Sequence, residues 1–115
     1  SNWFKFEKVG DGIKGTLMGK SLQPSTDPQY QDQWVYQLRR ADGSVWNAPV
    51  SVSKQGTVQR LNNCKIGEII GIVFEKEGEK KKGKFPAKML KVLTFGMDPN
   101  YSEMDGGEEA VVPEM

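Results

Sequence analysis

Over residues 12–22 the chain alternates with a period of two: Ile13, Gly15, Leu17 and Gly19 fall on one side, Lys14, Thr16, Met18 and Lys20 on the other. That period belongs to a half-buried β-strand. Glycines at positions 12, 15 and 19 of such a strand point to sharp coiling, as at a barrel corner. This segment therefore constrains the fold more than any other.

Four further segments read as strands. Residues 34–40 set Trp34, Tyr36 and Leu38 against Val35, Gln37 and Arg39. Ala41-Asp42-Gly43-Ser44 then supplies a hairpin turn, since Asp-Gly tolerates positive φ. Residues 45–48 form a third strand, stopped by Pro49, with Val45 as the core candidate and Trp46 exposed. Residues 69–77 hold the longest apolar block, which is strand-sized, with Ile70, Ile72 and Phe74 on one face. The last strand covers roughly residues 85–95, with Leu90 and Val92 inward. Between the third and fourth strands the period of two breaks. Val52, Val58 and Leu61 fit a helical face there, weakened by about 1 kcal/mol at Gly56. Residues 23–33 are polar and Pro-containing and read as a mobile loop.

Several classes of function are poorly served by this composition. The 115 residues include no histidine and one cysteine, Cys64, so a disulfide framework, a Cys/His zinc site and a His-based catalytic pair within one chain are excluded. The acids of the body are scattered, which leaves no candidate catalytic group, no metal site and no cofactor. No apolar run approaches the roughly 18 residues of a spanning helix. Cys64 reads as a small buried apolar residue, and a lone thiol suits a reducing compartment. Ser1-Asn2-Trp3 lacks an initiator Met and a leader pattern, so either a processed end or an artificially added one is expected.

Charge divides the chain in two. Residues 1–96 carry all 16 Lys and Arg against nine acids, net +7, whereas residues 97–115 carry six acids and no base. The expectation is one domain over 1–96 followed by an acidic, flexible tail over 97–115. A basic body implies an anionic partner, and the tail either competes for that surface or recruits another protein.

Five short strands with one helix between the third and fourth is the order of an OB-fold, a five-stranded Greek-key barrel in an all-β class. The residues also carry a resemblance. The runs Val9-Gly10-Asp11-Gly12-Ile13-Lys14-Gly15-Thr16-Leu17, Trp34-Val35-Tyr36-Gln37-Leu38, Asp42-Gly43-Ser44-Val45-Trp46 and Lys65-Ile66-Gly67-Glu68-Ile69-Ile70-Gly71-Ile72 resemble bacteriophage and mobile-element OB-fold proteins of the single-stranded-DNA-binding type. The likeness spans roughly residues 3–95. It implies sequence-tolerant binding of single-stranded DNA, or RNA, in phage-type replication, recombination or repair, in the cytoplasm of a bacterial host.

Such binding needs a basic groove and flat side chains that stack on bases. The candidates are Trp34 and Trp46 on neighbouring strands, with Trp34 open between core rim and stacking. Tyr30 lies in the polar loop, Arg39 on the outer surface, and Arg40, Lys14 and Lys20 extend the track. Lys80, Lys81, Lys82 and Lys84 lie in the loop between the last two strands, a position from which OB-folds clamp oligonucleotides. In the tail, Glu108 and Glu109 precede Val111 and Val112, similar to the acidic, apolar-tipped ends with which such proteins recruit replication enzymes, though Glu114 interrupts the tip and no terminal aromatic follows. Trp3, Phe4 and Phe6 read as packing residues. The other reading is an OB-fold protein-interaction or structural module of a phage complex, with its aromatic face covered by another protein or by a second copy of the chain.

Overall fold

A computed structural model describes residues 2–79 and 87–101. These residues form a mostly β structure with one helix. Six strands, β1 (Asn2–Trp3), β2 (Gly12–Gln23), β3 (Gln33–Arg39), β4 (Val45–Ser51), β5 (Glu68–Glu77) and β6 (Lys88–Met97), join in one open sheet of order β1-β4-β3-β2-β5-β6. Helix α1 (Gln55–Asn63) lies between β4 and β5 in the chain. β1 pairs with β4 in parallel and every other pairing is antiparallel.

The open six-stranded sheet replaces the expected five-stranded barrel for two reasons. Asn2 and Trp3 add a strand to the β4 edge, opposite Trp46 and Asn47. In addition, α1 packs against both β4 and β6, which are not sheet neighbours. Lys54 Nζ donates to the Lys88 carbonyl at 2.7 Å and Thr57 Oγ1 to the Leu90 carbonyl at 3.4 Å, so side chains of the helix reach the last strand.

β2 is the strand that turns the sheet. Its residues 12–16 pair with β5 and its residues 16–23 with β3. Gly15 permits the crossover, because a Cβ there would stand 2.7 Å from the Arg39 carbonyl oxygen. Just beyond, the register with β3 slips between Leu17 and Gly19. This bulge reverses the alternation that the sequence reading carried through the strand. Before it Ile13 and Leu17 face the core; after it Lys20 lies opposite Tyr36 and Leu22 opposite Trp34.

One face of the sheet is thus apolar. Leu17, Tyr36, Leu38, Ala48, Val50, Ile70, Ile72 and Phe74 are buried there with Phe6 and with Leu61 and Cys64 at the end of α1. The chain from Asn2 to Phe6 alternates likewise, with Phe4 and Phe6 packed inward and Trp3 left out. Burial of roughly 1.5–3 kcal/mol per large apolar side chain makes this face the main source of stability. The loop of residues 24–32 has its own hydrogen bonds: Asp32 Oδ1 accepts from the Ser25 amide and Asp27 Oδ1 from the Gln29 amide, both at 2.9 Å. Among the described residues no helix is long and apolar enough to cross a membrane.

β6 runs to Met97, and the chain remains folded beyond the expected boundary at 96. The Asp98 amide donates to the Gly67 carbonyl at 2.8 Å, and the Tyr101 amide to the Asp98 carbonyl at 3.0 Å. Gly67 has a φ of +95°, and a Cβ there would stand 2.5 Å from the Tyr101 ring, so only glycine suits the position. Asp98, counted with the acidic tail by composition, belongs to the folded body.

Candidate nucleic-acid interface

The face of the sheet opposite the core gathers the cations. On β2, Lys14 and Thr16 alternate with Ile13 and Leu17 and point outward. Thr16 stands opposite Arg39 on β3, and Gly19 opposite Gln37. Lys14, Thr16, Arg39, Arg40 and Asp98 line a cleft of about 740 Å³ on this side. Lys14 comes from the first half of β2, Arg39 from the end of β3 and Arg40 from the turn that follows. Gly15 lies in the same lining, where a Cβ would stand 2.7 Å from the Arg39 carbonyl oxygen, so glycine lets β2 pass close to the end of β3.

A carboxylate sits among these cations. Thr16 Oγ1 donates to Asp98 Oδ2, and Arg39 stands 3.9 Å from the same oxygen. The Asn100 amide donates to Asp98 Oδ1 at 2.8 Å. The Thr16 hydroxyl and then the Asn100 amide hold the Asp98 carboxyl below the usual carboxylate range, with Arg39 adding a smaller pull. At neutral pH the cleft thus keeps one fixed negative charge beside its guanidinium.

Two rings flank this region. Phe95 is 50% exposed on β6 and its ring lies over Gly71, where a Cβ would stand 3.5 Å away. Lys14 Nζ is 4.2 Å from the centroid of that ring, a cation–π contact. At the far edge Trp3 lies opposite Asn47, which lies opposite Gln37; all three share the outer face, and Trp3 is 44% exposed.

The tryptophans singled out from the sequence lie elsewhere. Trp34 and Trp46 are half-buried and packed against the core. Trp34 stacks near Tyr36, with centroids 6.2 Å apart, so one side of its ring packs at the rim of the core. Trp46 reverses the expected phase: it lies opposite Leu38, whereas Val45 is 43% exposed. The turn decides this. Gly43 takes φ +88° and the Arg40 amide donates to the Ser44 carbonyl, which fixes Arg39 opposite Val45 and Leu38 opposite Trp46. Trp46 Nε1 donates to Ser44 Oγ at 3.1 Å, its ring meets Phe4 edge-on, and Arg40 lies 5.7 Å from its centroid.

Lys20 is also displaced from the expected track. The bulge turns it inward, where Nζ donates to the carbonyls of Asn62 at 2.8 Å and Cys64 at 2.6 Å. An ammonium at a helix C-terminus is favourable, so Lys20 closes α1 and stands away from Lys14. Tyr30 is 69% exposed in the loop of residues 24–32 and does not line the cleft. Lys80, Lys81, Lys82 and Lys84, and the tail residues Glu108, Glu109, Val111 and Val112, lie outside the described residues.

Elsewhere the polar groups serve the fold. The Tyr36 hydroxyl donates to Asn62 Oδ1 at 2.9 Å, and burial pushes its phenol well above the usual range. Burial likewise pushes the Cys64 thiol up, the opposite of what a reactive thiolate needs. Among the described residues no three Cys, Asp or Glu side chains form a group able to hold a metal ion. Comparison with protein-family models, with curated proteins and with solved structures finds no match for this chain.

Proposed function

We propose that this chain binds single-stranded DNA with little regard to sequence, on the outer face of an OB-type sheet. In this reading β2 to β6 are the five strands of the barrel, opened between β4 and β6, with α1 as the helix between the third and fourth. The observation that carries it is the convergence of Lys14, Arg39 and Arg40 in one outer cleft, beside the exposed Phe95 ring. Phosphates bind by charge at such a groove, and flat rings hold bases of any identity. The biological setting that fits is phage-type replication, recombination or repair in a bacterial cytoplasm. Residues 102–115, with five acids and no base, would recruit partner proteins or compete for the cleft.

The test is fluorescence anisotropy of a labelled oligo(dT) titrated at several salt concentrations. Affinity should fall with salt at a slope of about −0.7 per phosphate neutralised. The double variant Lys14→Gln, Arg39→Gln should flatten that slope by about 1.4. Absence of binding by the parent chain at low salt would overturn the reading. One observation favours a protein partner in that case: β6 exposes Met89, Leu93, Phe95 and Met97, an apolar run on an edge strand.

A further inference from the structure

We infer that a single DNA strand crosses the outer face at right angles to the β-strands, with one base on Phe95, another on Trp3, and the intervening phosphates on Lys14 and Arg39. This rests on the single-stranded-DNA reading above and gives it a path. The pairing registers place the groups in order. Leu93 on β6 lies opposite Gly71 on β5, which lies opposite Lys14 on β2, and Phe95 follows Leu93 on the same side. Thr16 lies opposite Arg39 on β3, and Gln37, next on the same face, lies opposite Asn47 on β4. Asn47 lies opposite Trp3 on β1. Ring, ammonium, guanidinium and ring therefore follow one another from edge to edge of one sheet.

The spacing suits a nucleic acid strand. Neighbouring strands lie about 4.8 Å apart, so the five steps from β6 to β1 span roughly 24 Å along the surface. That is room for a run near the short end of OB-fold site sizes, about 4 nucleotides. Both rings are about half exposed, while the remaining tryptophans are packed against the core. A base settling on Phe95 takes the place of the Lys14 ammonium, which now stands 4.2 Å from the ring centroid and is released to a phosphate. Gly71 presents no side chain of its own beneath Phe95, whose neighbours on this face are Lys14 and Leu93. A protein partner would cover the exposed run of Met89, Leu93 and Phe95 along β6, whereas the path from Phe95 across to Trp3 passes over Lys14, Thr16, Arg39 and Gln37, which are polar.

The experiment is titration of oligo(dT) of increasing length with the parent chain and with Trp3→Leu and Phe95→Leu. Leucine keeps apolar bulk at exposed positions, and a urea melt of each variant checks that the fold persists. With oligonucleotides long enough to reach both rings, each variant should bind about 5- to 150-fold more weakly. With oligonucleotides too short to span them, the two losses should no longer accumulate in the double variant. If the parent binds and either variant stays within twofold of it, the edge-to-edge path is overturned while DNA binding stands. If the parent does not bind, the path and the reading beneath it fail together.

Discussion

The two faces of this sheet are made by the same strands and obey different rules. On the inner face Tyr36, Leu38, Ile70, Ile72 and Phe74 are sealed from water, and even its polar groups are committed: Tyr36 to Asn62, Lys20 to the end of α1. On the outer face Lys14 and Arg39 share a cleft with Asp98, and the rings of Trp3 and Phe95 remain half in solvent. Aromatic residues occur on both sides, so an aromatic residue alone does not mark a binding surface. What distinguishes the faces is whether the ring has neighbours to pack against.

Substitutions should separate the faces by what they change. Phe74→Ala empties a fully packed inner position and should cost about 3–5 kcal/mol of stability in urea denaturation. Trp46→Ala should cost less, about 1–2 kcal/mol, since its ring is only half-buried. Its affinity for oligo(dT) should stay within about twofold of the parent, in contrast to Phe95→Leu. A large loss of affinity in Trp46→Ala without loss of stability would erase the contrast between the faces. The smallest effect concerns Asp98. Its carboxyl is held below the usual range by Thr16 and Asn100, so its contribution to stability is complete above about pH 4, the ordinary carboxyl value. That contribution is lost as pH falls through the depressed native value. In acid titrations followed by urea melts, Asp98→Asn should lose less stability than the parent over that window.

The inner face was largely legible from alternation. Tyr36, Leu38, Ile70, Ile72 and Phe74 stand where a period of two puts them, because each belongs to a strand with one buried side. The failures occur where one residue shifts the phase. The bulge at Met18 turned Lys20 inward, and no local signal separates an inserted residue from an alternating one. The Asp42-Gly43 turn set Trp46 rather than Val45 inward, a matter of register across a hairpin rather than of composition within a strand. β1 is two residues long, too short to show a period, and its partner lies more than forty residues away. Trp3, grouped with Phe4 and Phe6 as a packing residue, faces out instead, because alternation over residues 2–6 turns only Phe4 and Phe6 inward. Phe95 was within reach of the same argument, since alternation carried on from Leu90 and Val92 leaves it outside. Asp98 was hidden by its acidic neighbourhood, since its role depends on Gly67 and Thr16, both distant in the chain.

The side chains that α1 sends to β6 have a consequence for self-association. β6 ends the sheet, and an unpaired edge is a template on which a second chain can add a strand. Lys54 and Thr57 already occupy the carbonyls of Lys88 and Leu90, so a foreign strand would have to displace both before it could extend the ladder there. The helix thereby acts as a guard rail against runaway edge-to-edge stacking along the first half of β6.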